Sequence, residues 1–244
     1  MDDSKSQFFY GFAALGLSIA LGLFFVSGAL KDIRRGNEEV TVTGSARRTI
    51  RSDFVVWKIS VSVQSASLAT GSQELTRGTE RVRSFLRTEG VADSQITVKP
   101  VEAFGIPETL QDGRETGRIV ATRLSQAFEV RTRDVDGITK VSQRASILLA
   151  EGVPLQAAAP EYSYTKLAEI RIALLEDATK DAKQRAEAIA KSTGVQVGAV
   201  RDARMGVFQI TPRFSTEISD YGVNDVSSIE KDVTAVVRAT FQLR

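Results

Sequence analysis

The segment 233–243 alternates with a period of two. Val233, Ala235, Val237, Ala239, Phe241 and Leu243 fall on one side, and Asp232, Thr234, Arg238, Thr240 and Gln242 on the other. A second run at 53–64 sets Val55, Trp57, Ile59, Val61 and Val63 against Lys58, Ser60, Ser62 and Gln64. Successive side chains of a strand point to opposite faces, so both runs read as antiparallel strands with one apolar and one polar face. Sheets built from such strands need covering on one side only, and the cover has to come from elsewhere in the chain.

Amphipathic helices can supply it. Residues 67–89 carry Leu75, Val82, Phe85 and Leu86 near helical spacing and stop at Gly90, although Gly71 and Gly78 lie within the run. Ile138, Val141, Ala145 and Leu148 give a short helix closed by Gly152. The clearest pattern spans 166–193, with Leu167, Ile170, Leu174, Ala178, Ala182, Ala186 and Ile189 on one stripe before Gly194. Its three alanines would let the helix lie close against a sheet. Shorter strand signals occur at 40–43, at Ile96, Val98 and Val101, at 119–131 with Val120, Leu124, Phe128 and Val130, and at 196–210. Residues 106–117 form a polar hairpin tip, and 154–160 a loop. The expected order is β-β-α-β-β-α-α-β-β, an α+β fold with helices packed on antiparallel sheets. The two long helices each close with Gly-Val (Gly90-Val91, Gly194-Val195) and are each followed by two strands, which suggests duplicated β-α-β-β units.

With 244 residues, 42% hydrophobic and 25% charged, the composition is that of one sizeable domain or two small ones. There is no cysteine and no histidine. Disulfides, thiol catalysis, Ser-His-Asp chemistry and Cys or His metal ligation are therefore excluded. The absence of cysteine suits an oxidising compartment and the cytosol equally. Arg47, Arg48 and Arg51 join Lys31, Arg34 and Arg35 in a basic cluster. With a net charge of only +2, this fits anionic headgroups better than nucleic acid.

From Ser6 to Leu30 no residue is ionisable. As a helix, residues 8–30 would reach roughly 34 Å at 1.5 Å per residue, enough to cross a hydrocarbon core of about 30 Å. The expected organisation is an N-terminal tail (1–7), a transmembrane anchor or uncleaved signal (8–30), a juxtamembrane linker (31–39) and a folded domain (40–244). A cleaved signal is the rival, since Ser27-Gly28-Ala29 offers small residues. The apolar run exceeds the usual h-region, however, and only Lys5 precedes it beside Asp2 and Asp3. Lys31, Arg34 and Arg35 follow the span, so the positive-inside rule alone would leave the domain in the cytoplasm.

The segments TVTGSARRTIRSD (41–53), ATKDAKQRAEAIAKSTGVQVGAV (178–200), GVFQITP (206–212) and DVSSIEKDVTAVVRATFQL (225–243) resemble the SIMPL-domain family, bacterial envelope proteins together with an animal kinase-associated protein. The family pattern is an opening V-x-G strand, a Pro-Asp or Ser-Asp pair, an A-x-x-D-A-x-x-R-A helix ended by Gly, and a closing strand. Here it falls on Val42 to Gly44, Ser52-Asp53, Ala178 to Ala186 with Gly194, and Val233 to Leu243. The resemblance implies an α+β fold of repeated β-α-β-β units, usually exported to the periplasm, which with the apolar run 8–30 gives a single-pass bacterial inner-membrane protein whose bulk domain is periplasmic. It also implies loose links to oxidative-stress defence and envelope integrity, with no established catalytic activity. No cofactor is expected.

The helix residues Asp177, Lys180, Asp181, Lys183, Gln184, Arg185 and Glu187 read as a solvated face with i,i+3 and i,i+4 charge pairs. The loop 213–232 is the candidate interaction surface, through Glu217, Asp220, Tyr221, Asp225 and Glu230. Its carboxylates suit calcium or magnesium, or the acid/base pair of a glycosidase, yet the spacing matches no calcium loop. Neither a Gly-rich phosphate loop nor a Rossmann fingerprint occurs. The chain therefore reads as a non-enzymatic structural, scaffold or stress-protective module. The alternatives are a carboxylate-dependent hydrolase using 213–232 and a module binding a peptide, glycan or protein at its loop tips. Self-association is expected through edge strands, with 233–243 either at an edge or internal, and any heterologous protein partner is unnamed by the sequence.

Overall fold

The computed structural model describes residues 38–244. The anchor and most of the linker expected from the sequence, residues 1–37, lie outside the described residues. Among those described, no helix is long and apolar enough to cross a membrane. The fold is mixed α+β with antiparallel sheets, and it divides into two units. One comprises residues 48–168 and 209–233, the other residues 38–47, 169–208 and 234–244. Strands β1 (Glu39–Arg51) and β9 (Glu230–Leu243) contribute residues to both.

The first of these units is built on β2 (Phe54–Ser65), β3 (Ile96–Thr109) and β4 (Glu115–Thr132), with the short β5 (Leu155–Ala157) and β6 (Glu161–Ser163) beside β2. The sheet order is β3-β4-β2-β5, and all the registered pairs are antiparallel. The period-two reading of β2 holds, since Val55, Trp57, Ile59, Val61 and Val63 are all buried. Helices α1 (Leu68–Thr88) and α2 (Val135–Arg144) cover this face, placing Leu75, Val82 and Leu86, and Ile138 and Val141, in one core with Leu124, Phe128 and Val130. Burying a large apolar side chain fully contributes roughly 1.5–3 kcal/mol, so this cluster dominates the unit's stability. Trp57 Nε1 donates to Ala158 O at 2.9 Å, which satisfies its one polar atom inside the core.

Gly71 and Gly78, out of place for helix propensity, face the sheet. A Cβ there would stand 3.0 Å from Ser65 Cβ and 2.8 Å from Val61 Cγ1 respectively. The close approach of the sheet, against helix propensity, accounts for a glycine at both positions. The expected helix over 138–148 is two helices, α2 and the short α3 (Ser146–Ala150). The expected loop 154–160 contains β5, because its backbone pairs with β2 at Ile59 to Val61. The β3–β4 hairpin runs beyond the core, and its turn closes at Leu110 N to Arg114 O, 2.8 Å. Val101 and Val120, expected to be inward, are exposed there for want of a helix above them.

The second unit packs α4 (Leu167–Thr193) on a sheet in which β9 lies between β1 and β7 (Val197–Met205); β8 (Gln209–Pro212), whose residues belong to the first unit, also pairs β9. The closing strand is therefore internal, and the edge placement considered for it is wrong. Its row Val233, Ala235, Val237, Ala239 and Phe241 is buried. The buried stripe of α4 is Leu174, Ala178, Ala182, Ala186 and Ala190, a strict i+4 row in which Ala190 replaces the expected Ile189. The two units trace the same path. In one, strand, helix, strand, strand (β2-α1-β3-β4) gives the order β2-β4-β3, and in the other β1-α4-β7-β9 gives β1-β9-β7.

Candidate functional site

The motif residues meet at a joint between β1 and α4. A Cβ on Gly44 would lie 2.2 Å from Ala178 O and 2.3 Å from Ala182 N, so only glycine lets the strand approach the helix backbone this closely. Next to it, Ser45 N–H donates to Asp181 Oδ2 at 2.8 Å, and Arg185 Nε donates to the same oxygen at 2.9 Å. The Ser45 bond, more than Arg185, holds the Asp181 carboxyl below its usual range against the opposing effect of burial. Val42, Ala182, Ala186, Ala239 and Phe241 form the apolar cluster beside it. Gly, Ala, Asp and Arg at these spacings fasten a helix to a strand. The remaining helix charges pair along the surface as Lys180–Glu176 and Lys183–Glu187.

The Ser52-Asp53 pair is a second joint. Asp53 Oδ1 and Oδ2 accept from Thr165 N (2.7 Å) and Thr165 Oγ1 (2.6 Å), and Ser52 N–H donates to Ile229 O (2.8 Å). Burial pushes the Asp53 carboxyl up, but the Thr165 bonds and the charge of Arg133 bring it below its usual value.

In the loop 213–232 the five candidate residues separate into two groups. Asp225 turns inward, where Oδ1 accepts from Ser227 N (2.8 Å) and Ser227 Oγ (2.7 Å), and Oδ2 from Ser228 N (3.3 Å). Burial raises its carboxyl, while the bonds from Ser227 and Ser228 and the nearby Lys231 lower it further, for a net downward shift. Glu230 accepts from Arg213 at 2.8 Å and lies 3.9 Å from Arg51, whose guanidinium also binds Asp136 at 2.7 Å. Both acids are therefore committed to holding the loop. Glu217, Asp220 and Tyr221 are exposed, and neither of these two carboxylates makes an ion pair among the described residues. Among the described residues no three acidic side chains gather closely enough to hold a metal ion.

Two buried polar residues outside the candidate set organise this loop. Gln209, 8% exposed, donates through Nε2 to Ser219 O (2.7 Å), and its Oε1 accepts from Val223 N (2.9 Å) and Ser219 N (3.4 Å). Lys231, 2% exposed, donates from Nζ to Tyr162 O at 2.7 Å and to Asp225 O. Burial pulls its pKa below the usual lysine value, against the opposing charge of Asp225. Lys231 had a signal in the sequence, because the inward row of β9 extends back from Val233 to position 231. Gln209 had none.

These lowered carboxyls have a consequence for stability. Asp53, Asp181 and Asp225 each bind protons less readily folded than unfolded, so their contribution is complete above about pH 4 and is lost as pH falls through their folded values. Thermal midpoints should be flat from about pH 7 to 5 and fall steeply below about 4. Asp53→Asn should lower the neutral midpoint and shallow the acid limb. An unchanged acid limb in that variant would contradict the assignment.

No curated protein matches this chain. The family model that does match covers residues 40–241, nearly all of the described chain, and is described as SIMPL, a protein of unknown function (DUF541). The chain belongs to the SIMPL family.

Proposed function

We propose that the chain is a membrane-anchored, non-enzymatic module of a bacterial cell envelope, with a structural, scaffold or stress-protective role. One observation carries the reading. The residues of the family motif are spent on packing: Gly44 against Ala178 and Ala182, Asp181 on the Ser45 amide, and Asp53 on Thr165. A module whose motif secures its architecture acts by what it holds in place, whereas an enzyme's motif gathers reactive groups in a cleft. The hydrolase alternative asks for a pair of carboxylates converging in a cleft, whereas Asp225 and Glu230 are bonded to their own loop and Glu217 and Asp220 stand exposed on its surface. The matching strand orders of the two units support an internal duplication in which the opening strand of one β-α-β-β unit precedes the whole of the other.

Residues 8–30 supply the proposed anchor, with the domain on the periplasmic side of the inner membrane. This side is chosen on family membership, against the local charge count, because the positive-inside rule is a bias with exceptions. Protease added to spheroplasts should digest the domain, and protection until lysis would place it in the cytoplasm. Purified protein should show no hydrolytic turnover that Asp220→Asn, Asp225→Asn or Glu230→Gln abolishes. Turnover lost in one of these variants would favour the hydrolase.

A further inference from the structure

The loop 213–225 exposes three large apolar side chains together: Phe214 at 82%, Ile218 at 81% and Tyr221 at 97%. It is held firmly while doing so. Gln209 ties Ser219 and Val223 from inside, Ile210 N donates to Val223 O at 2.8 Å, and Asp225 N donates to Ile210 O at 2.9 Å. Phe214 has φ +63°, the sole positive value at a non-glycine among the described residues, and the Arg213 guanidinium lies 4.8 Å from its ring centroid. A bulky residue keeps the left-handed conformation only where its surroundings impose it. The bonds from Gln209 and Ile210 fix the backbone at Ser219, Val223 and Asp225, directly after Ile218 and on both sides of Tyr221, and hold the loop with these side chains outward.

Fixed aromatic and aliphatic knobs are what a binding partner can bury with little ordering cost. The charge around them selects the partner. Arg213 is neutralised by Glu230, while Glu217 and Asp220 are exposed and make no ion pair among the described residues, so the tip is apolar with an acidic fringe. An anionic bilayer surface repels such a fringe, and a cleft with basic walls attracts it. We propose that the loop 213–225 docks a different protein, one that presents an apolar cleft rimmed by lysine or arginine. The inference deepens the scaffold reading above and rests on it.

The test uses the full chain in its native host with a photo-crosslinking residue, p-benzoylphenylalanine, in place of Tyr221 and, separately, of Phe214. Irradiation should give an adduct with one heterologous protein, identified by mass spectrometry and then purified. The complex remade from that protein and the detergent-solubilised full chain should weaken at least about tenfold with Ile218→Asp, a change at a solvent-exposed position that leaves folding intact. It should also weaken with Glu217→Lys plus Asp220→Lys, and as ionic strength rises. Gln209→Ala should loosen the loop and reduce affinity without touching the contact surface. Adducts only with lipid or with a second copy of the chain, or none at either position, would overturn the proposal, as would affinity indifferent to Ile218→Asp. Failure of the scaffold reading would be seen separately, as hydrolytic turnover sensitive to the carboxylate substitutions and unaffected by Ile218→Asp.

Discussion

Gly44→Ala is expected to destabilise the unit containing α4 by at least about 3 kcal/mol, the upper part of the range for overpacked sites. The added Cβ meets three backbone atoms of α4, 2.2 Å from Ala178 O, 2.3 Å from Ala182 N and 2.7 Å from Ala182 Cα. No rotamer change relieves a clash with backbone, so the helix must withdraw. Withdrawal lengthens the Ser45–Asp181 bond and opens the alanine stripe above Val42, Ala239 and Phe241. Against a typical total stability of about 5–15 kcal/mol, the loss should lower the denaturant midpoint markedly or prevent accumulation of folded protein. Gly71→Ala is the control. Its Cβ meets Leu124 Cδ1 (3.3 Å), a flexible side-chain end that can turn away, and Ser65 Cβ (3.0 Å), which has to shift by a few tenths of an ångström, and alanine offsets that shift with about 1 kcal/mol of helix propensity over glycine. Its midpoint should stay within about 1 kcal/mol of the parent. Comparable midpoints for the two variants would show that the strand and helix are not packed as described.

Lys231→Met is expected to cost about 2–4 kcal/mol, because the carbonyls of Tyr162 and Asp225 lose their charged donor and methionine offers none. The relief of removing a buried charge offsets part of this, which is why the figure falls short of the full loss of two charge-assisted bonds. The pH dependence carries a distinctive sign. Burial holds the Lys231 pKa below its ordinary 10.5, so the unfolded chain binds the extra proton over that interval and the parent protein gains stability as pH climbs through it towards 10.5. The methionine variant should lack this alkaline rise. Chemical denaturation followed in parallel at pH 7 and in the alkaline range checks both statements. A variant as stable as the parent at neutral pH would refute the role given to the amine.

The one-sided strands and the helices that cover them were legible in the residues, because burial imposes a period of two or of about 3.6 on any chain that shields a core. Val55 to Val63, Val233 to Phe241 and the alanines of α4 needed no more than their spacing. The errors fall where spacing carries no force. Ile189 yielded its place to Ala190 because the buried row of α4 runs strictly at i+4 from Leu174, which turns position 189 outward. Val101 and Val120 are exposed because their ribbon outruns the helices. The closing strand could be placed at an edge or inside by its own pattern, since strand order is decided by partners distant in sequence.

The candidate loop divides along the same line. Its position, its composition and the exposure of Glu217, Asp220 and Tyr221 follow from a polar, glycine- and serine-rich segment between strands. That Asp225 and Glu230 serve the loop itself depends on which backbone amides and guanidinium groups arrive beside them, as does the clamping of the tip by Gln209 and Lys231. The sequence by itself determined the class of fold, the faces of its strands and helices, and the exclusion of cysteine and histidine chemistry, because these depend on local order and on which atoms are present. Only the tertiary structure decided that Gly44 and Asp181 form a joint and that the loop presents Phe214, Ile218 and Tyr221 outward, because such contacts are short-ranged and directional and join residues far apart in the chain.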